Sequence, residues 1–260
     1  KPGARKLADD LVTQARQLGL TAEVTEAYPP PPGFLAGRDA CAVLGGDGTL
    51  LAIVPEALHH NVPVFGINQG KLGFLATFSV AEARDCLNGL VEGHYQLMTR
   101  SVLTCGMGNG DSRFALNDVA IKAQDATKLI DLEVCSNDEL VTTYSCDGLV
   151  FSTPTGSTAY NLSAGGPIVY PGAKVITMTP ICPHTLTNRS VVFPERKNLH
   201  VRSLSANGHP VITIDGHSNF TDPSTLPLEI RCADIDLKLI QPSNYSHFRI
   251  LRSKLQWGGE

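Results

Sequence analysis

The sequence predicts an N-terminal α/β domain on a doubly wound parallel sheet, then an all-β domain, then a closing C-terminal helix. Three observations lead there. Residues 1–95 alternate apolar strand-like runs with segments of helical period, the rhythm of a parallel sheet covered by helices. Across 96–242 that helical period stops and short apolar runs follow one another closely, as in a β domain. Residues 243–260 return to a helical spacing.

Ala4, Leu7, Ala8, Leu11, Val12, Ala15 and Leu18 step by three and four, an amphipathic helix that stops at Gly19. Residues 21–25 alternate weakly, as an edge strand does. A doubly wound domain ordinarily opens on a strand, so a strand is expected before Lys1, with Lys1, Pro2 and Gly3 as the tail of the loop after it. Prolines 29 to 32, closed by Gly33, exclude helix and central strand and leave a stiff exposed loop. Residues 40–44 form a buried strand, and a helix follows from 49 to about 60, kinked or restarted at Pro55. Residues 62–67 are a second apolar strand, 68–75 a glycine-bearing loop at its end, and 80–90 a helix. Ser79 and Glu82 are spaced as a capping box for that helix.

In the second domain the expected strands are 96–105, 113–122, 128–135, 140–144, 174–179, 198–203, 211–214 and 228–240, with 136–139 as a hairpin tip. The closing helix, 245–255, places Phe248, Leu251 and Leu255 on one face.

The chain has 260 residues, 42% hydrophobic and 18% charged, a globular composition with ample length for a core. A net charge of −4 argues against a nucleic-acid partner, which needs a basic face. No apolar run approaches the roughly 20 residues of a membrane span. Seven cysteines, with no C-x-x-C pair among them, write neither a zinc site nor a disulfide framework and suit a reducing cytoplasm.

The residues that point to chemistry begin at the first strand. It runs into Gly45, Gly46, Asp47 and Gly48, then Thr49 opens a helix. Glycines let the backbone approach a ligand, and free N–H groups at a helix start attract negative charge. An acid in such a cradle repels phosphate unless a divalent metal bridges them or the acid takes a proton from a hydroxyl. The combination points to phosphoryl transfer, although the same four residues also make a good tight turn. Neither of the two common nucleotide-loop signatures, G-x-x-x-x-G-K-[ST] or G-x-G-x-x-G, is present.

Downstream, residues 152–167 hold the densest run of small hydroxyl residues, with Tyr160 as a ring able to stack on a flat base. Asp147 just upstream, and Asn117 and Asp118 inside an apolar strand, are polar groups that cost free energy unless paired or used. Cys182-Pro183-His184 lacks further ligands at metal spacing and reads as a turn. His59 and His60 read as favourable charges at a helix end, and Arg249, Arg252 and Lys254 as a solvated face.

Along nearly its whole length the chain resembles the NAD kinases. The likeness rests on GGDGTLL (45–51), N-x-G-x-L-G-F-L (68–75), LND (116–118), YSCDGLVFSTPTGSTAYNLSAGGP (144–167), TPICPHTL (179–186) and ITIDG (212–216). GGDG alone recurs in lipid kinases and phosphofructokinases; with TGSTAY downstream it is specific.

The resemblance implies that ATP phosphorylates the 2′-hydroxyl of the adenosine ribose of NAD with a divalent metal, Mg2+ or Mn2+. It also implies a site between the two domains of a cytoplasmic homodimer or homotetramer, with no membrane. Asp47 matches the proton acceptor and, with Gly48, contacts the ligand. Gly45, Gly46 and Thr49 form the phosphate loop. Asn117 and Asp118 match the pair that holds a ribose. Asp147 and the run Thr158, Ala159, Tyr160, Asn161, Leu162 and Ser163 match contacts to adenine and nicotinamide. Lys128, Ser145 and His217 fall at variable binding positions, and Ser145 stands where many relatives carry a basic residue. No metal-ligating residue is assigned. A diacylglycerol-type lipid kinase and a non-catalytic dinucleotide-binding module stand as the alternatives.

Overall fold

The computed structural model describes residues 3–70, 72–125, 127–204 and 210–258; Lys1, Pro2 and Lys71, which enter the expectations above, lie outside them. The chain divides into two compact units, Lys1–Thr99 with Leu237–Glu260, and Arg100–Asp236.

In chain order the first unit has α1 (Ala4–Gln17), β1 (Cys41–Leu44), α2 (Asp47–Leu51), α3 (Val54–His60), β2 (Val64–Asn68), β3 (Phe78–Ser79), α4 (Ala83–Glu92) and β4 (Tyr95–Arg100). The second has β5 (Leu103–Met107), β6 (Ser112–Ala115), β7 (Asp118–Ala123), β8 (Ile130–Ser136), β9 (Glu139–Cys146), β10 (Gly148–Ser152) and α5 (Tyr160–Ser163). It continues with β11 (Val175–Ile181), β12 (Val191–Pro194), β13 (Leu199–Ser203), β14 (Pro210–Ile214), β15 (Ser218–Phe220) and β16 (Leu228–Cys232). The chain then returns to the first unit with β17 (Leu237–Pro242) and α6 (His247–Leu255).

The first sheet runs β1-β2-β17-β4, with β3 also on β2. Its pairs β1–β2, β2–β17 and β2–β3 are parallel, as the alternating rhythm requires. α1 buries Ala8, Leu11 and Ala15, and Leu11 joins Phe65, Ile67, Phe78, Ala83, Cys86 and Ile240 in one core. Each large side chain there contributes about 1.5–3 kcal/mol by leaving water. In the second unit two six-stranded sheets, β12-β11-β10-β7-β14-β15 and β6-β5-β16-β13-β8-β9, bury a shared core that includes Leu103, Ile121, Leu132, Phe151, Ile176 and Leu199.

Several expected elements differ, each for a physical reason. Residues 96–105 are two strands, β4 and β5, in different sheets, and 228–240 likewise divide into β16 and β17. Both breaks are short, 101–102 and 233–236, with apolar residues on either side, so the pattern hides where the chain changes sheet. The expected second domain, 96–242, therefore gives up Leu237–Pro242, which pairs with β2. Residues 113–122 part at Leu116-Asn117 into β6 and β7. β10 is buried at every position and so shows no alternation to find.

The edge strand expected at 21–25 forms no ladder. A cavity of about 750 Å3 lies between that segment, α1 and β1, which is the last strand of its sheet. The helix expected over 49–60 starts at Asp47 and divides into α2 and α3, with Pro55 in the first turn of α3 where its missing N–H is tolerated. α6 turns His247, Ile250 and Leu251 inward and leaves Phe248 59% exposed, so the face expected from Phe248, Leu251 and Leu255 is rotated. All seven cysteines are free thiols, and among the described residues no helix is long and apolar enough to cross a membrane.

The bonds of the expected capping box form, but they close the turn 80–82, and the helix expected from 80 starts at Ala83. Ser79 N–H and its hydroxyl both donate to Glu82 Oε2, at 2.9 and 2.7 Å, and Glu82 N–H returns to Ser79 Oγ at 3.3 Å. Those bonds from Ser79 hold the Glu82 carboxyl below its usual range. Ser79→Ala is expected to cost about 1 kcal/mol; a urea titration checks this, and an unchanged midpoint would contradict it.

Candidate functional site

The glycine turn is built by close packing. Gly45 leaves β1 and donates to the Ile67 carbonyl at 3.0 Å, and a side chain there would lie 2.4 Å from Thr49 Oγ1. Gly46 takes the extended position before α2, and its carbonyl accepts the N–H groups of Thr49 and Leu50 at 3.0 and 3.2 Å. Gly48 and Thr49 are exposed, and the Gly48 carbonyl accepts the Tyr28 hydroxyl at 3.2 Å.

Asp47, half-buried, is not the free acid that its sequence context suggests. Oδ2 accepts Phe74 N–H at 2.8 Å, and Oδ1 accepts Leu75 and Ala76 N–H at 3.1 and 2.9 Å. A carboxylate has about four acceptor positions, so one is left, on Oδ2. The loop motif is explained by this clamp: a Cβ on Gly73 would lie 1.9 Å from Asp47 Oδ1. The acid thus fastens the loop after β2 to the start of α2.

The second unit assembles its own group. Asp118 opens β7 opposite Ser152 of β10. Asn117, just before it, gives its carbonyl to Thr153 N–H at 2.9 Å. Thr153 Oγ1 donates to the Leu116 carbonyl at 2.6 Å and accepts Gly156 N–H at 3.0 Å. Gly156 sits so close that a Cβ would meet the Asn117 carbonyl oxygen at 2.0 Å. The Asn117 carboxamide itself, half-buried, bonds no other described residue. Asp215 closes the arrangement from the β14–β15 turn, accepting Leu116, Asn117 and Asp118 N–H at 2.9, 2.7 and 3.1 Å.

Asp118 is buried, 4% exposed. Burial first, and then the neighbouring Asp215 carboxylate, push its carboxyl up to about 7; Tyr160 N–H and the Lys122 charge pull the other way. The Tyr160 ring is half-open, with Lys122 Nζ 5.6 Å from its centre. Asp147, half-buried, accepts the Cys182 thiol, which raises that thiol above its usual range.

The other expected ligand residues do not share one setting. Asn161 is fully buried, its carboxamide donating to Ser157 and Pro167 carbonyls at 3.2 and 3.0 Å and accepting Thr179 Oγ1 at 2.7 Å, so its side chain braces the loop. Thr158, Ala159 and Leu162 are half-buried beside it and Ser163 is exposed. Lys128 is exposed, paired with Asp125 at 3.5 Å, and bonds none of Asn117, Asp118 or Tyr160. Ser145 lies in β9 opposite Asp131, its carbonyl accepting His184 N–H at 2.8 Å. His217 turns Nδ1 to the Asp215 carbonyl at 2.5 Å. Asp215 and Lys122 were not expected to act here; an Asp-Gly pair after the apolar strand ITI was the available signal for the first.

The first unit thus carries a glycine turn with a clamped acid, and the second an acid–amide pair beside a half-open tyrosine. The family models for the ATP-NAD kinase N-terminal and C-terminal domains match residues 34–95 and 116–241. The NAD kinase of Heliobacterium modesticaldum is 38% identical over 98% of this chain and 93% of its own length. That of Geobacter metallireducens is 37% identical over 94% and 86%. The chain belongs to the NAD kinase family. Its fold is that of yeast NADH kinase, solved with NADH (TM-score 0.83, 23% identity, 100% of this chain and 86% of that one). An Archaeoglobus fulgidus NAD kinase, solved with ATP, shares it too (TM-score 0.82, 24% identity, 98% and 95%). Family membership makes the chain an enzyme and sets aside both the lipid-kinase and the non-catalytic alternatives.

Because Gly73 packs on the acid, Gly73→Ala is expected to destabilise the chain by about 1–3 kcal/mol through overpacking. Calorimetry of the variant checks this; a melting temperature equal to the parent's would contradict the packing.

Proposed function

We propose that the chain transfers the γ-phosphate of ATP to the 2′-hydroxyl of the adenosine ribose of NAD, giving NADP. The observation that supports it most is the Asn117–Asp118 pair beside Tyr160. A carboxamide with no partner among the described residues and a buried carboxylate suit a sugar diol, and the half-open ring offers a face for a base.

In the reaction the 2′-oxygen attacks the γ-phosphorus, the bond to the bridging oxygen breaks, ADP leaves, and the hydroxyl proton passes to the unoccupied position on Asp47 Oδ2. Phosphoryl transfer depends chiefly on positioning and charge stabilisation. A carboxylate already held by three amides is fixed without reorganisation. As proton acceptor it would contribute about 10²–10⁴-fold. Gly45, Gly46, Gly48 and Thr49 would line the phosphates, and Asp147, Tyr160 and their neighbours the base and the nicotinamide side.

Mg2+ or Mn2+ belongs to this reading, yet among the described residues no three His, Cys, Asp or Glu side chains cluster as a metal site. The ion is therefore expected on the ATP phosphates, and no step is assigned to it. A homodimer or homotetramer in the cytoplasm completes the reading, and the free thiols suit that compartment.

With NAD, ATP and magnesium, the protein is expected to form NADP, read by an NADP-specific dehydrogenase. No signal, with diacylglycerol phosphorylated instead, would contradict the reading. Asp47→Asn is expected to leave the KM for NAD within a few-fold and to slow turnover by about 10²-fold or more. Full activity in that variant would remove Asp47 from the chemistry.

A further inference from the structure

We propose that Asp215 is a positioning residue for NAD capture, its carboxylate fixing the direction in which Asn117 and Asp118 meet the ribose. This rests on the kinase reading above.

In a regular strand successive N–H groups point to opposite sides. Here three successive ones, from Leu116, Asn117 and Asp118, converge on one carboxylate. The backbone is curled into a nest whose concave side calls for an anion. The contact is reciprocal, because Asp215 N–H donates to the Asp118 carbonyl at 3.0 Å. Asp215 holds a left-handed conformation, φ 49°, that few residues other than glycine, asparagine and aspartate adopt readily. Without its carboxylate three amides would lose their acceptor together, and the break between β6 and β7, where Asn117 sits, would have nothing to shape it.

The same contact places a second carboxylate against Asp118. The charged and titratable groups facing Asp118 are Asp215, Lys122 and Tyr160, and His217 acts on Asp215 from the same turn. Burial raises both acids, and the Asp215 carboxylate further opposes ionisation of Asp118. Asp118, brought to about 7, gives up its proton in the neutral range. An ionised Asp118 accepts hydrogen bonds from a sugar diol, so NAD capture strengthens as pH rises through that range and weakens below it. Asp215 thereby sets both the direction and the working pH of the pair.

The test uses the full chain with NAD and magnesium–ATP between pH 5.5 and 8.5, as wild type and as Asp215→Asn. The wild-type kcat/KM for NAD is expected to rise with a midpoint near 7. In the variant the KM for NAD is expected to increase about ten-fold, from a buried amide left facing another donor. The KM for ATP is expected to stay within about two-fold, and the midpoint to move to lower pH because the like charge is gone. A folded variant with unchanged KM and midpoint would overturn the proposal. So would an equal rise in both KM values together with a lowered melting temperature, the mark of a merely structural role.

If the variant does not fold, amide proton shifts of Leu116, Asn117 and Asp118 in the wild type read the same claim. Shift changes common to the three amides support it, and three amides that move independently of one another overturn it. A wild type that forms no NADP would overturn the kinase reading instead, and the amide shifts would then judge Asp215 alone.

Discussion

Three consecutive backbone N–H groups gathered on one inward-turned carboxylate is the interaction on which this structure leans twice. Asp47 takes Phe74, Leu75 and Ala76; Asp215 takes Leu116, Asn117 and Asp118. Each gathered segment interrupts regular structure, where the amides have no ladder to join. An anion is a stronger acceptor than a carbonyl, so one side chain can hold a stretch that would otherwise cost free energy to bury. Segments outside regular structure are thereby held in place.

Glycine is the counterpart of the clamp. Gly73 lies against Asp47, and Gly156 lies against the Asn117 carbonyl, at distances that admit no side chain. The residues of the proposed site sit where backbone touches backbone or carboxylate, and the small residues of GxLGFL and TGST follow from that contact. The conformational freedom of these glycines is incidental: neither has a positive φ.

Much of this was legible in the sequence, because the strongest signals there are periodic. The alternation of strand and helix to residue 95, the capping box at Ser79, and the break before Pro55 each follow from local rules. What the sequence hid depends on partners distant along the chain. Residues 96–105 and 228–240 read as single strands because alternation says nothing about which sheet a strand joins. β10 escaped because burial on both faces removes alternation. Among the site residues, Asp47, Asn117, Asp118 and Tyr160 announced themselves as polar or aromatic groups in the wrong surroundings. Asn161 announced itself in the same way, yet it is spent on bracing its own loop. Asp215 stood in the ITIDG match with no role attached, since its value lies in three amides nearly a hundred residues upstream.

Amide hydrogen exchange at residues 74–76 and 116–118 tests the clamps most directly, because only Asp118 of the six lies in a regular element. If the carboxylates hold these segments, their amides exchange as slowly as those of the adjoining strands and open only with their unit. Exchange at the rate of exposed turns would contradict the account, because the functional loops would then be shaped by something other than Asp47 and Asp215.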